Sequence, residues 1–275
     1  MFEKSFYFGL DLAASYTFGH SKSVYDGTSS VAYSNWKYNY AVDSNNPGLA
    51  YSMFDIPHRV MVSVGYRTPR YAKGFMATTV SLVYNGYVGQ RYSLTMNESY
   101  YDAEKKKTVY IDYNGDGWGG NSLLYIPTED ELQKMDFKTE EDRRKFDEWI
   151  EGDSYAKKHR GAYAMRNSNS APWENRVDLH VAQDIFVLKD RGSKFQVTFD
   201  VTNFANMLNK KWGTTYTAAY NVMPLQVIGS KKGEDGNYTN TYAYNSRNTI
   251  TKNDVLSRWH AQILSLIHIS EPTRH

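Results

Sequence analysis

The stretch Lys194–Gly213, KFQVTFDVTNFANMLNKKWG, decides how the rest of the chain is read. Phe195, Val197, Phe199 and Val201 share one parity; Gln196, Thr198, Asp200 and Thr202 share the other. A strand turns successive side chains to opposite faces, so this alternation gives one continuous apolar face and one continuous polar face. From Phe195 to Phe204 the run has the ~9–11 residues with which a tilted β-strand crosses a bilayer. A membrane strand is the first expectation.

Composition agrees with it indirectly. The chain has 24 Tyr, 12 Phe, 6 Trp and no Cys, with a formal net charge of +2 and a clearly negative mean hydropathy. Nothing approaches the ~18 consecutive apolar residues of a membrane helix. A β-barrel hides its membrane signal, because every second residue faces the lumen and the long loops are polar. Lys and Arg are scattered and nearly balanced by acids, which gives no nucleic-acid surface. Zero cysteines exclude disulfide frameworks and thiolate metal sites. Met1-Phe-Glu-Lys enters a strand pattern without the basic start and apolar stretch of an export signal, so an exported barrel implies that Met1 is internal to a longer protein.

Six strands are expected. The first, Phe6 to Phe18, carries Phe6, Phe8, Leu10, Leu12, Ala14, Tyr16 and Phe18 on its apolar face. His58–Thr68 and Met76–Asn85 follow as a hairpin, then Asn175–Leu188 with Gln183 as its one polar interruption. The opening stretch is fifth, with Asn203 to Trp212 as its irregular upper continuation, and Trp259, Ala261 and Ile263 mark a last strand. The connections alternate: long at 19–57, short at 69–74, long at 89–174, short at 189–193, long at about 217–254. Bacterial barrels place long loops outside and short turns in the periplasm. None of the assigned apolar positions is charged, as expected where Arg or Lys costs ~2–4 kcal/mol at the bilayer midplane. A soluble sandwich also buries one face of each strand but does not need long loops at one end only. Within 89–174 a capping-box pattern at Thr128 and Glu131, with a restart at Thr139, predicts a loop helix over Thr128–Ile150 that packs Phe146, Trp149 and Ile150 against neighbouring loop.

The runs FDIPHRVMVSVGYR (54–67), NSLLYIPTEDEL (121–132), APWENRVDLHVAQDI (171–185) and VTFDVTNFANMLNKKWG (197–213), in that order, resemble the C-terminal portion of a TonB-dependent outer-membrane receptor, of the Oar-like type common in Bacteroidetes. The resemblance covers residues 1–263. It implies an all-β fold: a partial transmembrane antiparallel β-barrel, about six C-terminal strands of a barrel of about 22, with long extracellular loops and a short loop helix. It further implies location in the bacterial outer membrane, with its lipid as one partner and TonB as another through an N-terminal plug domain not contained in these residues. The activity implied is energised uptake of a nutrient such as a glycan, peptide or metal chelate. Residues 264–275, LSLIHISEPTRH, depart from the family and break the alternation; they resemble a translated sequencing adapter, which removes His268 and His275 as candidates and gives the division 1–263 and 264–275. The alternatives of other classes are a passive porin or surface-adhesion barrel, and a soluble carbohydrate-active β domain.

Few residues stand out for chemistry. Asp112, Asn114, Asp116 and Gly117 spell D-x-N-x-D-G, the first half of an oxygen-ligand calcium loop, but Leu123 replaces the twelfth-position Glu and Asn121-Ser122 supplies no further carboxylate. The plain alternative is an Asx-rich turn. Arg59, Arg67, Asp178, His180, Asp184 and Arg258 fall on the lumen face, where charge suits a water-filled or plugged interior. No H-E-x-x-H, G-x-S-x-G or phosphate-binding glycine loop occurs, so no enzyme and no cofactor are expected beyond that calcium.

Overall fold

Seven strands form one antiparallel meander in which every strand pairs with its neighbours in sequence: β1 (Phe2–Ser5), β2 (Leu10–Phe18), β3 (His58–Arg67), β4 (Met76–Tyr87), β5 (Glu174–Phe186), β6 (Lys194–Thr202) and β7 (His260–His268). The computed structural model describes residues 1–187, 193–217, 221–234, 236–246 and 250–268. Among these residues β1 and β7 are free edges, and the sheet does not close on itself.

The register sorts the side chains. Leu12 lies opposite Val64, Val64 opposite Leu82, Leu82 opposite Leu179, Leu179 opposite Val201 and Val201 opposite Ala261. That row and its parallels make an apolar face free of Asp, Glu, Lys and Arg from β2 through β7. It is not covered by other parts of the described structure: Val64, Val80, Leu82 and Phe199 are all exposed. Gln183 lies on this face without being orphaned. Its Oε1 accepts from the Tyr71 hydroxyl (2.9 Å) and the Thr78 hydroxyl (2.8 Å), and its Nε2 donates to the Ala77 carbonyl (3.1 Å).

Aromatic residues border the face at both ends. At the loop end the Tyr16 hydroxyl meets His58 Nδ1 at 2.7 Å, and the Tyr84 hydroxyl and Trp173 indole both donate to Asn175 Oδ1. At the turn end are Tyr66 and Tyr71. From Val60, opposite Tyr16, to Tyr66 the strand advances about 20 Å at ~3.3 Å per residue. With the flanking residues this matches the ~25 Å apolar band of a membrane barrel.

Three features differ from the sequence expectation. Phe6–Gly9 is a turn, so the first strand begins at Leu10 and an additional strand, β1, precedes it. Gly9 causes this: it takes φ +95, and a Cβ there would lie 2.2 Å from the Arg67 carbonyl oxygen, so the chain passes β3 as only glycine can. Phe6 and Phe8 keep the right parity but sit on the hairpin.

Asn203 to Trp212 is not an upper continuation of β6. Asn203 adopts the left-handed conformation (φ +57) and helix α4 (Phe204–Leu208) follows. Buried Asn203 donates through its N–H to Asp178 (2.7 Å) and through Nδ2 to the carbonyls of Gly213 (2.8 Å) and Ser257 (2.9 Å). An amide side chain suits that position because it tolerates αL and satisfies backbone acceptors at once.

The segment expected as a polar loop before β7 contains a hairpin, Leu225–Lys232 with Tyr238–Tyr244, bulged between Val227 and Gly229. Its turn signal falls partly outside the described residues, at Asp235, as does most of the expected 189–193 turn; Ser193 closes that hairpin by accepting from the Val187 N–H (3.0 Å). Residues Leu264–His268 extend β7 in register, Leu264 opposite Thr198 and His268 opposite Lys194. Backbone ladder bonds do not read side chains, so pairing continues where alternation stops. Residues 269–275 lie outside the described residues.

Candidate functional site

The packed core of this protein lies in its loops. The second loop, 88–173, and the third, 203–259, bring together Tyr92, Leu94, Met96, Leu124, Ile126, Leu132, Phe137, Phe146, Ile150, Val222 and Leu225, all buried. Two helices supply one side. Helix α2 (Glu129–Lys134) starts at a full capping box, Thr128 Oγ1 accepting from the Glu131 N–H while Glu131 accepts from the Thr128 N–H. Helix α3 (Glu140–Gly152) restarts at Thr139, which accepts from the Asp142 N–H (3.1 Å). The expected trio behaves as read: Phe146 and Ile150 are fully buried, and Trp149 stacks on Phe146 at 6.0 Å. The third loop joins through Phe137 opposite Tyr242 and Asn221 opposite Ser93.

The first loop, 19–57, is clasped to this core at two points. At one, Arg91 Nε and Nη2 donate to Asp55 Oδ2 at 3.0 and 2.7 Å, and the Ser21 N–H donates to Asp55 Oδ1 at 2.6 Å. Burial pushes the Asp55 carboxyl up, but Ser21 and Arg91 outweigh it and hold the group below the usual carboxylate range. At the other, Asp116 Oδ2 accepts from Ser44 Oγ (2.6 Å) and Asn121 Nδ2 (2.7 Å), and Asp116 Oδ1 from the Trp118 N–H (2.7 Å). The Ala41 N–H donates to the Asn121 carbonyl (3.0 Å), and Lys37 Nζ sits 3.2 Å over the Trp118 ring.

These contacts place the three candidate calcium ligands. Asp112 accepts from the backbone of Asp116 (3.2 Å) and Gly117 (2.8 Å), Asn114 donates to Asn121 (2.9 Å), and Asp116 is the hub. The turn is held by donors facing its carboxylates, which would have to turn away to admit a cation. Among the described residues no three acidic or histidine side chains converge at metal-ligating separation.

Beside this turn lies a residue with no sequence signal. Glu98 is buried, and among the described residues neither carboxylate oxygen has a well-formed hydrogen bond, Ser122 and the Asn121 backbone being its nearest polar neighbours. Burial, helped by the charges of Asp112 and Asp116, pushes the Glu98 carboxyl up to about 7 against the neighbouring Ser122 and Asn121.

Where the first and second loops meet they enclose a cavity of about 360 Å³, lined by Asp26, Ser34, Asn35, Tyr38, Asn39, Arg91, Arg166 and their neighbours. Helix α1 (Ala32–Lys37) forms one wall. Sequence reasoning missed this site. Asp55 lies inside the quoted run FDIPHRVMVSVGYR, but Arg91 and Arg166 carry no local pattern, since their partners are far away in the chain.

The charged positions read as lumen-facing divide. Arg59, Arg67, Asp178, His180 and Asp184 share the face opposite the apolar one: Arg67 lies opposite Thr79, Thr79 opposite Ala182, and Asp178, His180 and Asp184 follow that parity. Arg67 Nη2 donates to Asp184 at 2.7 Å, and Lys194 and Gln196 join the same carboxylate at 2.9 and 2.6 Å. His180 pairs with Asp200, Arg59 with Asn85 (3.0 Å) and Arg176 with Asp178 (3.2 Å). Arg258 lies in a bend before β7 rather than on a strand.

A family model described as an outer membrane beta barrel domain matches residues 1–256. The chain belongs to that family. No curated protein and no solved structure matches it. The outer-membrane barrel domain explains the arrangement: the protein resides in the bacterial outer membrane, its outward apolar face and aromatic borders meet lipid, and its hydrogen-bonded polar face looks away from lipid.

Proposed function

We propose that this chain supplies wall and extracellular loops to a TonB-dependent transporter that takes up a nutrient, without a catalytic step of its own. The observation that carries the reading is the folded dome. Three loops converge at one end of the wall: the second and third bury a hydrophobic core there, and the first and second leave a cavity of small-ligand size. A passive pore needs an open mouth, whereas a receptor gains from a rigid surface that captures solute before an energised step moves it. The four family-like runs support the TonB-dependent class, with the paired charges of the polar face lining the lumen against a plug.

The test is solute uptake by the parent organism with and without TonB. Energy-dependent uptake that disappears together with TonB is the expected result. Uptake that persists unchanged without TonB would make the protein a passive porin.

A further inference from the structure

Two buried guanidinium groups border the loop cavity, and they differ in how their charge is met. Arg91 is paired in full, with two N–H groups on Asp55 Oδ2. Arg166, with a side chain only 5% exposed, donates to neutral oxygens: Nη1 to Asn39 Oδ1 and Nη2 to the Ser23 carbonyl, each at 2.5 Å, and Nη2 also to the Ser23 hydroxyl at 3.3 Å. The nearest acid, Asp26, stands 3.7 Å off and is shared with the Ser23 hydroxyl (2.8 Å), the Met53 N–H (3.1 Å) and Asn167 Nδ2 (3.2 Å). A guanidinium removed from water is costly unless an anion with good geometry offsets it. Arg166 therefore faces the cavity with its charge incompletely met.

We propose that this cavity binds a small solute through a carboxylate seated against Arg166, the rest of the solute meeting the Tyr38, Asn35 and Ser34 side. The proposal rests on the uptake reading and names the seat and chemistry of the solute. A planar fork matches a carboxylate with two parallel hydrogen bonds, so the acid group fixes orientation and supplies most of the discrimination. At about 360 Å³ the cavity is at the small end of ligand pockets, which span ~300–1,000 Å³. That suits a dipeptide or an acidic sugar unit rather than a long chain. The Asp116 clasp belongs to the same device, because with Asn121 it holds Lys37, the last residue of the α1 wall, and Ala41 and Ser44 in the segment that follows.

Calorimetric titration of the protein, extracted in detergent from its own outer membrane, tests this with two matched pairs: Ala-Ala against its C-terminal amide, and glucuronic acid against glucose. At least one acid is expected to bind about tenfold or more tightly than its neutral partner, the pair that shows it distinguishing peptide from sugar. Arg166→Gln should erase that preference. Because Arg166 is buried and its replacement can disturb the loops, Ser34→Trp at the half-buried cavity wall provides a second probe and should weaken the acid ligand with the fold intact. Equal binding of acid and neutral partner in both pairs, or an acid preference untouched by Ser34→Trp, overturns the proposal. Acid-selective binding without TonB-dependent uptake would remove the transport reading and leave the seat standing; TonB-dependent uptake without acid selectivity would do the reverse.

Discussion

Replacing Glu98 by glutamine should stabilise the loop dome, and the gain should grow with pH. Folding raises the Glu98 carboxyl from an ordinary 4.5 to about 7, chiefly by burial. Below 4.5 both folded and unfolded forms hold the proton, and the group has no effect. Between 4.5 and about 7 the unfolded chain releases its proton while the folded one keeps it, so stability falls as pH rises through this window. At ~1.4 kcal/mol per pH unit the loss levels off at ~3 kcal/mol above pH 7, as an order of magnitude. The glutamine of the Glu98→Gln variant cannot ionise and escapes it. Hydrogen exchange of peptides spanning 92–98 and 121–126, corrected for intrinsic rates, measures local opening at pH 4.5 and pH 8. The variant should match the wild type at the lower pH and be more protected at the higher. A difference of equal size at both pH values would mean that Glu98 acts through packing and that its proton is irrelevant.

Three other perturbations probe separate parts. Asp116→Ala removes the acceptor of Ser44 and Asn121 and should cost ~1–3 kcal/mol locally, seen as faster hydrogen exchange in residues 37–45 with the strands unaffected. Phe146→Ala opens the fully buried centre of the dome at ~3–5 kcal/mol; limited proteolysis of outer membranes carrying the variant should cut the loops while the membrane-embedded strands stay protected. Val181→Arg puts a charge on the apolar face between Val80 and Phe199 and should cost ~2–4 kcal/mol in denaturant titrations in lipid vesicles, whereas Ser81→Arg on the opposite face should cost much less.

The wall was legible in the sequence because lipid imposes a strict rule. A strand with one face in hydrocarbon must alternate, so Val60, Val62 and Val64, or Phe195, Val197 and Phe199, declare their face locally. Gly9 defeated the reading because a hairpin of aromatic residues keeps the parity of a strand. Apart from its two capped helices, the dome was illegible for the opposite reason. Its short strands pair across great distances in the chain, Phe137 with Tyr242 and Ser93 with Asn221, and each is too brief to show a period. The Asp112–Gly117 turn could be read as a turn, but its role as a clasp depends on Ser44, a residue with no signal of its own. Glu98 and Arg166 are defined by what surrounds them after folding, and a single sequence does not print that.

The position of the core has a consequence for how this protein comes together. Val222 and Leu225, which complete the packing around Leu94 and Leu124, lie between β6 and β7. They are delivered to the cluster by the loop that the last hairpin closes. The pairing that seats β7 beside β6 thus also anchors both ends of the loop that carries Val222 and Leu225, which couples the lipid-facing ladder to the water-facing core. The second loop already carries most of that interior, from Tyr92 to Ile150, and Val222 and Leu225 are what the third loop adds to it.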